Sequence, residues 1–211
     1  MKTIVRLKTS RLFYNKWPYK IRVNVGKAAW FKQVEKWPQL YESSVYNDLQ
    51  DVVRRIKPFD STKYQTRGES DRLSVFCMDR EFLDEFVKEF ERIIIDIHEP
   101  GSDTEQDILL NSPRKPQIRN NLFKGKYQFK VYLKTNTSVA DRETINKWAN
   151  SAPGTVFVAG ATKHWFTGSY WCPGQPFIYV DNEKTLSMAL LVLGRNTRCI
   201  SEAVIRSNIN T

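Results

Sequence analysis

Between Tyr19 and Val25 the chain reads YKIRVNV, apolar at every second position, which predicts a strand with one buried face. The period then changes. In ESSVYNDLQDVVRRI, residues Val45, Leu49, Val52, Val53 and Ile56 recur at helical spacing and predict an amphipathic helix. KYQTR and RLSVFCM return to strand character, with Leu73, Val75 and Cys77 on one side of the second. DREFLDEFVKEF stacks Phe82, Leu83, Phe86, Val87 and Phe90 along a second helix, and RIIIDIH closes the series as a strand. The order is βαββαβ. It recurs in YQFKVYLK (strand), SVADRETINKWAN (helix), TVFVA and QPFIYV (strands), DNEKTLSMALLVL (helix) and CISEAVI (strand).

The junctions match as well. VFCMDREFL and IYVDNEKTL both leave a strand into an Asp followed two residues later by Glu, so Asp79 and Asp181 are expected as N-caps, with Glu81 and Glu183 at the positive helix end. Between the two series lies a stretch rich in Pro, Gly and Asn without sustained periodicity, which reads as a connection. The expected division is an N-terminal unit over residues 1–98, a linker over 99–126 and a C-terminal unit over 127–211. The fold class is α+β, with antiparallel sheets carrying helices on one face. This topology resembles ferredoxin-like and RRM-like domains, whose sheets keep one face free. The RNP1 pattern of RNA-recognition motifs is absent from RLSVFCM and QPFIYV.

One stretch has no counterpart in the first series. KHWFTGSYWC gathers Trp165, Phe166, Tyr170 and Trp171 around Thr167-Gly168, and is expected as an aromatic hairpin spanning residues 162–174. Alternation within it puts Trp165 and Phe166 on opposite faces.

Charge adds a partner to this frame. The formal net charge is +10, and it is unevenly spread. Met1 to Lys36 holds ten Lys or Arg and one Glu; Asn111 to Lys134 holds seven basic residues and no acidic one; Glu42 to Asp107 is acidic. Segregated basic segments attract polyanions, nucleic acid first. Strand alternation turns Lys20, Arg22, Lys130 and Tyr132 away from the helices, together with Phe76, Phe157, Phe177 and Tyr179. Cations beside rings are what a single-stranded nucleic acid needs, because the cations meet phosphates and the rings stack on bases. The expected interface comprises Lys16, Lys20, Arg22, Arg114, Lys115, Arg119, Lys124, Lys126, Lys130, Tyr132, Lys134, Phe157, Lys163, His164, Trp165, Trp171 and Tyr179.

Catalytic chemistry finds little support. His98 and His164 are the two histidines, the three cysteines form no CxxC pair, and the GxxxxGK[ST], GxGxxG and GxSxG motifs are absent. No metal or cofactor is therefore expected. Odd thiols fit a reducing compartment, and the absence of a signal-like or membrane-spanning apolar run fits a cytoplasmic protein. The sequence reads as a non-catalytic nucleic-acid-binding protein of low sequence specificity, RNA favoured over DNA. Two alternatives stand beside it: an assembly protein, of viral type, whose aromatic surfaces meet other copies of the chain, and a metal-independent endoribonuclease similar in domain plan to CRISPR repeat-processing enzymes.

Overall fold

The computed structural model describes residues 4–60, 62–168 and 174–209. The chain divides into two compact α+β units, Met1–Leu110 and Asn111–Thr211. In unit 1 the elements are β1 (Val5–Lys8), β2 (Tyr19–Asn24), α1 (Phe31–Lys36), α2 (Asn47–Ile56), β3 (Tyr64–Glu69), β4 (Arg72–Cys77), α3 (Arg80–Phe90), β5 (Ile94–Glu99) and α4 (Asp103–Asn111). Unit 2 contains β6 (Lys115–Arg119), β7 (Phe129–Leu133), α5 (Val139–Ser151), β8 (Val156–Val158), α6 (Gly160–Phe166), β9 (Phe177–Val180), α7 (Glu183–Leu193) and β10 (Thr197–Ile205).

The sheets run β1-β5-β2-β4-β3 and β6-β10-β7-β9-β8. Without their first strands, both are four-stranded antiparallel βαββαβ sheets in the same spatial order. Each gains a fifth strand at one edge, and this strand pairs in parallel, β1 with β5 and β6 with β10. The sheets are therefore mixed. Neither edge strand was expected. β1 is exposed along its whole length and shows no alternation, while β6 lies inside the supposed linker. That 99–126 stretch is in fact built: it carries the end of β5, all of α4 and β6, and a tight turn at residues 123–127. Pro116 is tolerated because an edge strand leaves one row of N–H groups unused.

The core of each unit lies between sheet and helices. Ile21, Val23, Leu73, Val75 and Ile97 meet Leu49, Val52, Ile56, Leu83 and Phe86 in unit 1; Phe129, Val131, Ile178 and Val180 meet Ile145, Leu186 and Leu193 in unit 2. These are the residues that alternation and helical spacing assign inward. Val45 is the exception, since it precedes α2 and is exposed. Asp79 caps α3, accepting from Glu81 N at 2.8 Å. At the matching junction the cap falls one residue later, on Asn182, which accepts from Thr185 N at 2.9 Å. At Gly68 an added Cβ would stand 2.0 Å from Ala28 O, so only glycine permits β3 to approach the turn after β2 so closely.

The first part of the expected aromatic hairpin, residues 162–166, is helical instead. α6 occupies residues 160–166, and Trp165 and Phe166 are 1% and 2% exposed. A helix turns about 100° per residue, so two successive rings share one face instead of opposing each other. They pack 5.5 Å apart in the core of unit 2, with the Arg142 guanidinium 4.3 Å over the Trp165 ring. Thr162 fastens α6 to the sheet, its hydroxyl donating to Phe177 O at 3.0 Å and accepting from Phe177 N at 3.1 Å. Tyr170, Trp171 and Cys172 lie outside the described residues.

Candidate nucleic-acid interface

Residues paired across neighbouring strands share a face, so the register lays out each helix-free face as rows. In unit 1 the first row is Leu7, His98, Lys20, Phe76 and Gln65, from β1 to β3. Its second row is Asp96, Arg22, Ser74 and Arg67. In unit 2 the corresponding first row is Lys115, Ser201, Lys130, Tyr179 and Phe157. Its second row is Cys199, Tyr132 and Phe177.

A short finger lies over part of each face. In unit 1, Phe13 and Trp17 bridge across a three-residue turn in which Tyr14 and Asn15 take left-handed backbone angles. Unit 2 repeats this with Phe123, Tyr127, Lys124 and Gly125. The sequences correspond position by position: LFYNKWPYK at 12–20 and LFKGKYQFK at 122–130. Phe13 rests 5.6 Å from Phe76 and 5.7 Å from His98, while Tyr14 meets Phe76 edge-on at 5.0 Å. Trp17 Nε1 donates to Gln65 at 2.9 Å. In unit 2, Phe123 and Tyr127 lie 5.5 and 6.0 Å from Tyr179, and Tyr127 lies 6.0 Å from Phe157. The fingers thus cover one side of each face.

The two second rows differ in chemistry. Arg22 Nε donates to Asp96 at 2.8 Å, and Asp96 is buried. Burial alone would raise the Asp96 carboxyl, but the Arg22 hydrogen bonds and charge outweigh it and hold the group below the usual carboxylate range. His98 Nε2 stands 3.3 Å from Asp96 without a hydrogen bond to it, and burial pushes this imidazole below its ordinary value despite that neighbour. Lys20 is pushed down by burial and then by Arg22. Unit 2 has no such ion pair at this position. Lys130 Nζ instead sits 3.7 Å from the Phe177 ring centre, 4.7 Å from Tyr132 and 5.8 Å from Tyr179. All four side chains are half-buried, and Lys130 makes no salt bridge among the described residues.

Of the expected interface residues, Lys115, Lys124, Lys130, Tyr132, Phe157 and Tyr179 come together on the open face of unit 2 or its finger. Lys124 lies 5.3 Å from the Phe157 ring. Arg119 and Lys126 flank the same finger, 4.7 Å over Phe123 and 5.9 Å over Tyr127. Lys134 is exposed just beyond the end of β7. Lys16, Lys20 and Arg22 gather on unit 1, where Lys16 donates to Thr62 O at 2.9 Å. Arg114, Lys163, His164 and Trp165 do not join. Arg114 stacks at 4.9 Å on Phe129, on the helix side, and is paired with Glu183 and Glu202. Lys163 and His164 are exposed on α6, whose other side enters the core; Trp165 is core, and Trp171 lies outside the described residues. Phe177, which alternation already turns to the open side, joins the set, and the finger rings Phe123 and Tyr127 are additions to it. Aligning the chain with itself would have found the fingers.

Among the described residues no group of three or more His, Cys, Asp or Glu could hold a metal ion, and no helix is long and apolar enough to cross a membrane. Burial pushes the Cys77 thiol up to about 12, which removes it as a nucleophile. No family model, curated protein or solved structure matches the chain.

Proposed function

We propose that the open face of unit 2 binds single-stranded nucleic acid, RNA in preference to DNA, without catalysis and with little base specificity. The observation that carries this reading is the Lys130 ammonium, set among Tyr132, Phe177 and Tyr179 without a carboxylate partner. Rings on the two central strands of such a sheet offer bases a stacking surface, as in RNA-recognition motifs, and a cation among them meets the phosphate. Lys115, Lys124, Lys126 and Lys134 supply further exposed charge. The test is fluorescence anisotropy with a labelled oligouridylate. Affinity falls steeply between about 50 and 200 mM salt, and Tyr132→Ala and Phe177→Ala each weaken binding by about 1–3 kcal/mol. Binding indifferent to salt and to both substitutions contradicts the proposal.

A second reading rests on a separate observation. Met188 and Leu191 on α7 are 52% and 80% exposed, and Trp30, Trp37 and Leu40 are exposed around α1. Met188 and Leu191 stand one helical turn apart, and adjoining exposed apolar side chains are what a contact surface is built from, so this pair supports self-assembly. Light scattering of wild type and Leu191→Glu tests it: a wild-type oligomer that the substitution dissociates supports assembly, and a wild-type monomer removes it.

A further inference from the structure

We propose that unit 1 holds a second phosphate site, formed by Lys16 and Lys20, which takes backbone phosphodiesters of the same class of ligand but offers their bases no platform. The inference rests on the nucleic-acid reading of unit 2 and extends it to a part of the chain whose second row is closed. It starts from what the two copies of the finger share. Leu12, Phe13, Lys16, Lys20 recur as Leu122, Phe123, Lys126, Lys130, with an aromatic residue at 17 and 127 and again at 19 and 129. Packing accounts for the apolar matches: Trp17, Tyr19, Phe123, Tyr127 and Phe129 are buried, and the Phe13 ring lies on Phe76 and His98. It does not account for the lysines. Lys16 and Lys126 are exposed at the fingertips, Lys20 and Lys130 are half-buried at the same register, and none of the four makes a salt bridge among the described residues.

Each lysine nevertheless stands beside aromatic rings. Lys16 lies 4.1 Å over Trp17, and Lys20 lies 5.6 and 5.9 Å from Phe13 and Phe76. Lys16 is exposed and spends one of its three donors on Thr62 O at 2.9 Å; half-buried Lys20 has no hydrogen-bond acceptor among the described residues, and a π-face offsets only part of the hydration that burial removes. An anion completes the shell. The neighbouring charges allow this: Asp96 faces Lys20 but is engaged by Arg22, Glu69 and Arg67 act on Lys20 with opposite signs, His98 on β5 is held toward its neutral form, and Asp60, the carboxylate near Lys16, is bonded to Thr62 N and also shared with Lys63. The sheet offers bases no platform here, because Ser74 stands where unit 2 has Phe177, Arg22 stands where it has Tyr132, and Phe76 is 4% exposed beneath the finger, which leaves the fingertip ring of Tyr14, turned edge-on to Phe76, as the exposed aromatic.

Full-length wild type, Lys16→Gln/Lys20→Gln and Lys126→Gln/Lys130→Gln are titrated with a labelled oligonucleotide and with an abasic strand of equal length, over a range of salt. For single strands each phosphate contact contributes about 0.7 to the slope of log affinity against log salt, so the unit 1 double substitution lowers the slope by about 1.4. It does so equally on the abasic strand. Millimolar inorganic phosphate at matched ionic strength leaves that difference in place. If the unit 1 pair changes nothing while the unit 2 pair weakens binding, the second site is refuted and the function proposed for unit 2 stands. If the unit 1 effect vanishes on the abasic strand, the site contacts bases and the assignment is wrong. If inorganic phosphate abolishes the difference, the site belongs to the free anion. If wild type fails to bind either strand, both proposals fall.

Discussion

At one register position the two units part company. Unit 1 places Arg22, Ser74 and Asp96 where unit 2 places Tyr132, Phe177 and Cys199, on sheets of the same topology beneath the same kind of finger. In the first the arginine is consumed by a buried carboxylate; in the second a lysine faces three rings. The common parts are those that fold the sheet and seat the finger. Three side chains then decide whether the remaining surface is closed by an ion pair or left as a platform. Topology alone therefore does not distinguish the two faces; the second row does, and the binding proposed for unit 2 rests on it.

The largest effect tests the element that unit 2 has and unit 1 lacks. Trp165→Ala in α6 should destabilise unit 2 by about 3–5 kcal/mol, measured by urea unfolding. A stable variant with weakened binding would return this residue to the interface. The next prediction concerns the closed row. Asp96→Asn should cost unit 1 about 1–3 kcal/mol, below the range for a fully buried pair because the Arg22 side chain is 32% exposed. The same row makes unit 1 sensitive to acid. The folded-state values of His98 and Asp96 are both depressed, so each contributes stability that is complete above its unfolded value and is lost as pH falls through its folded one. Thermal melting should decline first below about pH 6.5 as His98 is forced to charge, and again below about pH 4 as Asp96 protonates. His98→Gln should remove the first decline.

Much of the fold is legible in the sequence, because strands and helices with one buried face write their period into the chain. Ile21, Val23, Leu49, Val52, Phe82 and Phe86 are read inward and are inward. What escapes is whatever lacks a period. β1 is four residues long with no buried side, and its pairing depends on β5, more than 80 residues later. α6 escapes because Thr-Gly among aromatics imitates a hairpin turn, although the turn of the chain only ends the helix at Thr167. For the interface, alternation assigned Lys20, Arg22, Lys130, Tyr132, Phe157 and Tyr179 to the open faces correctly. It could not foresee that Asp96 neutralises Arg22 or that Phe123 and Tyr127 cover part of Tyr179, since both depend on pairings between distant segments.

The smallest predicted effect is a control on charge. Glu183→Gln removes one of the two carboxylates paired with Arg114 and leaves Glu202 at 3.6 Å; it should change stability by no more than about 1 kcal/mol and leave oligonucleotide affinity unaltered. A clear gain in affinity would bring Arg114 into the binding surface from the helix side.

The central claim is that the platform in unit 2 receives the bases. It is tested most directly by irradiating the protein with an oligonucleotide containing 4-thiouridine and mapping the crosslinked residues by mass spectrometry. The account predicts crosslinks at Tyr132 or Phe177, lost in the corresponding alanine variants, and none at Ser74 or Arg22. Crosslinks confined to α7 or to the exposed residues around α1, with Tyr132 and Phe177 unlabelled, would contradict it.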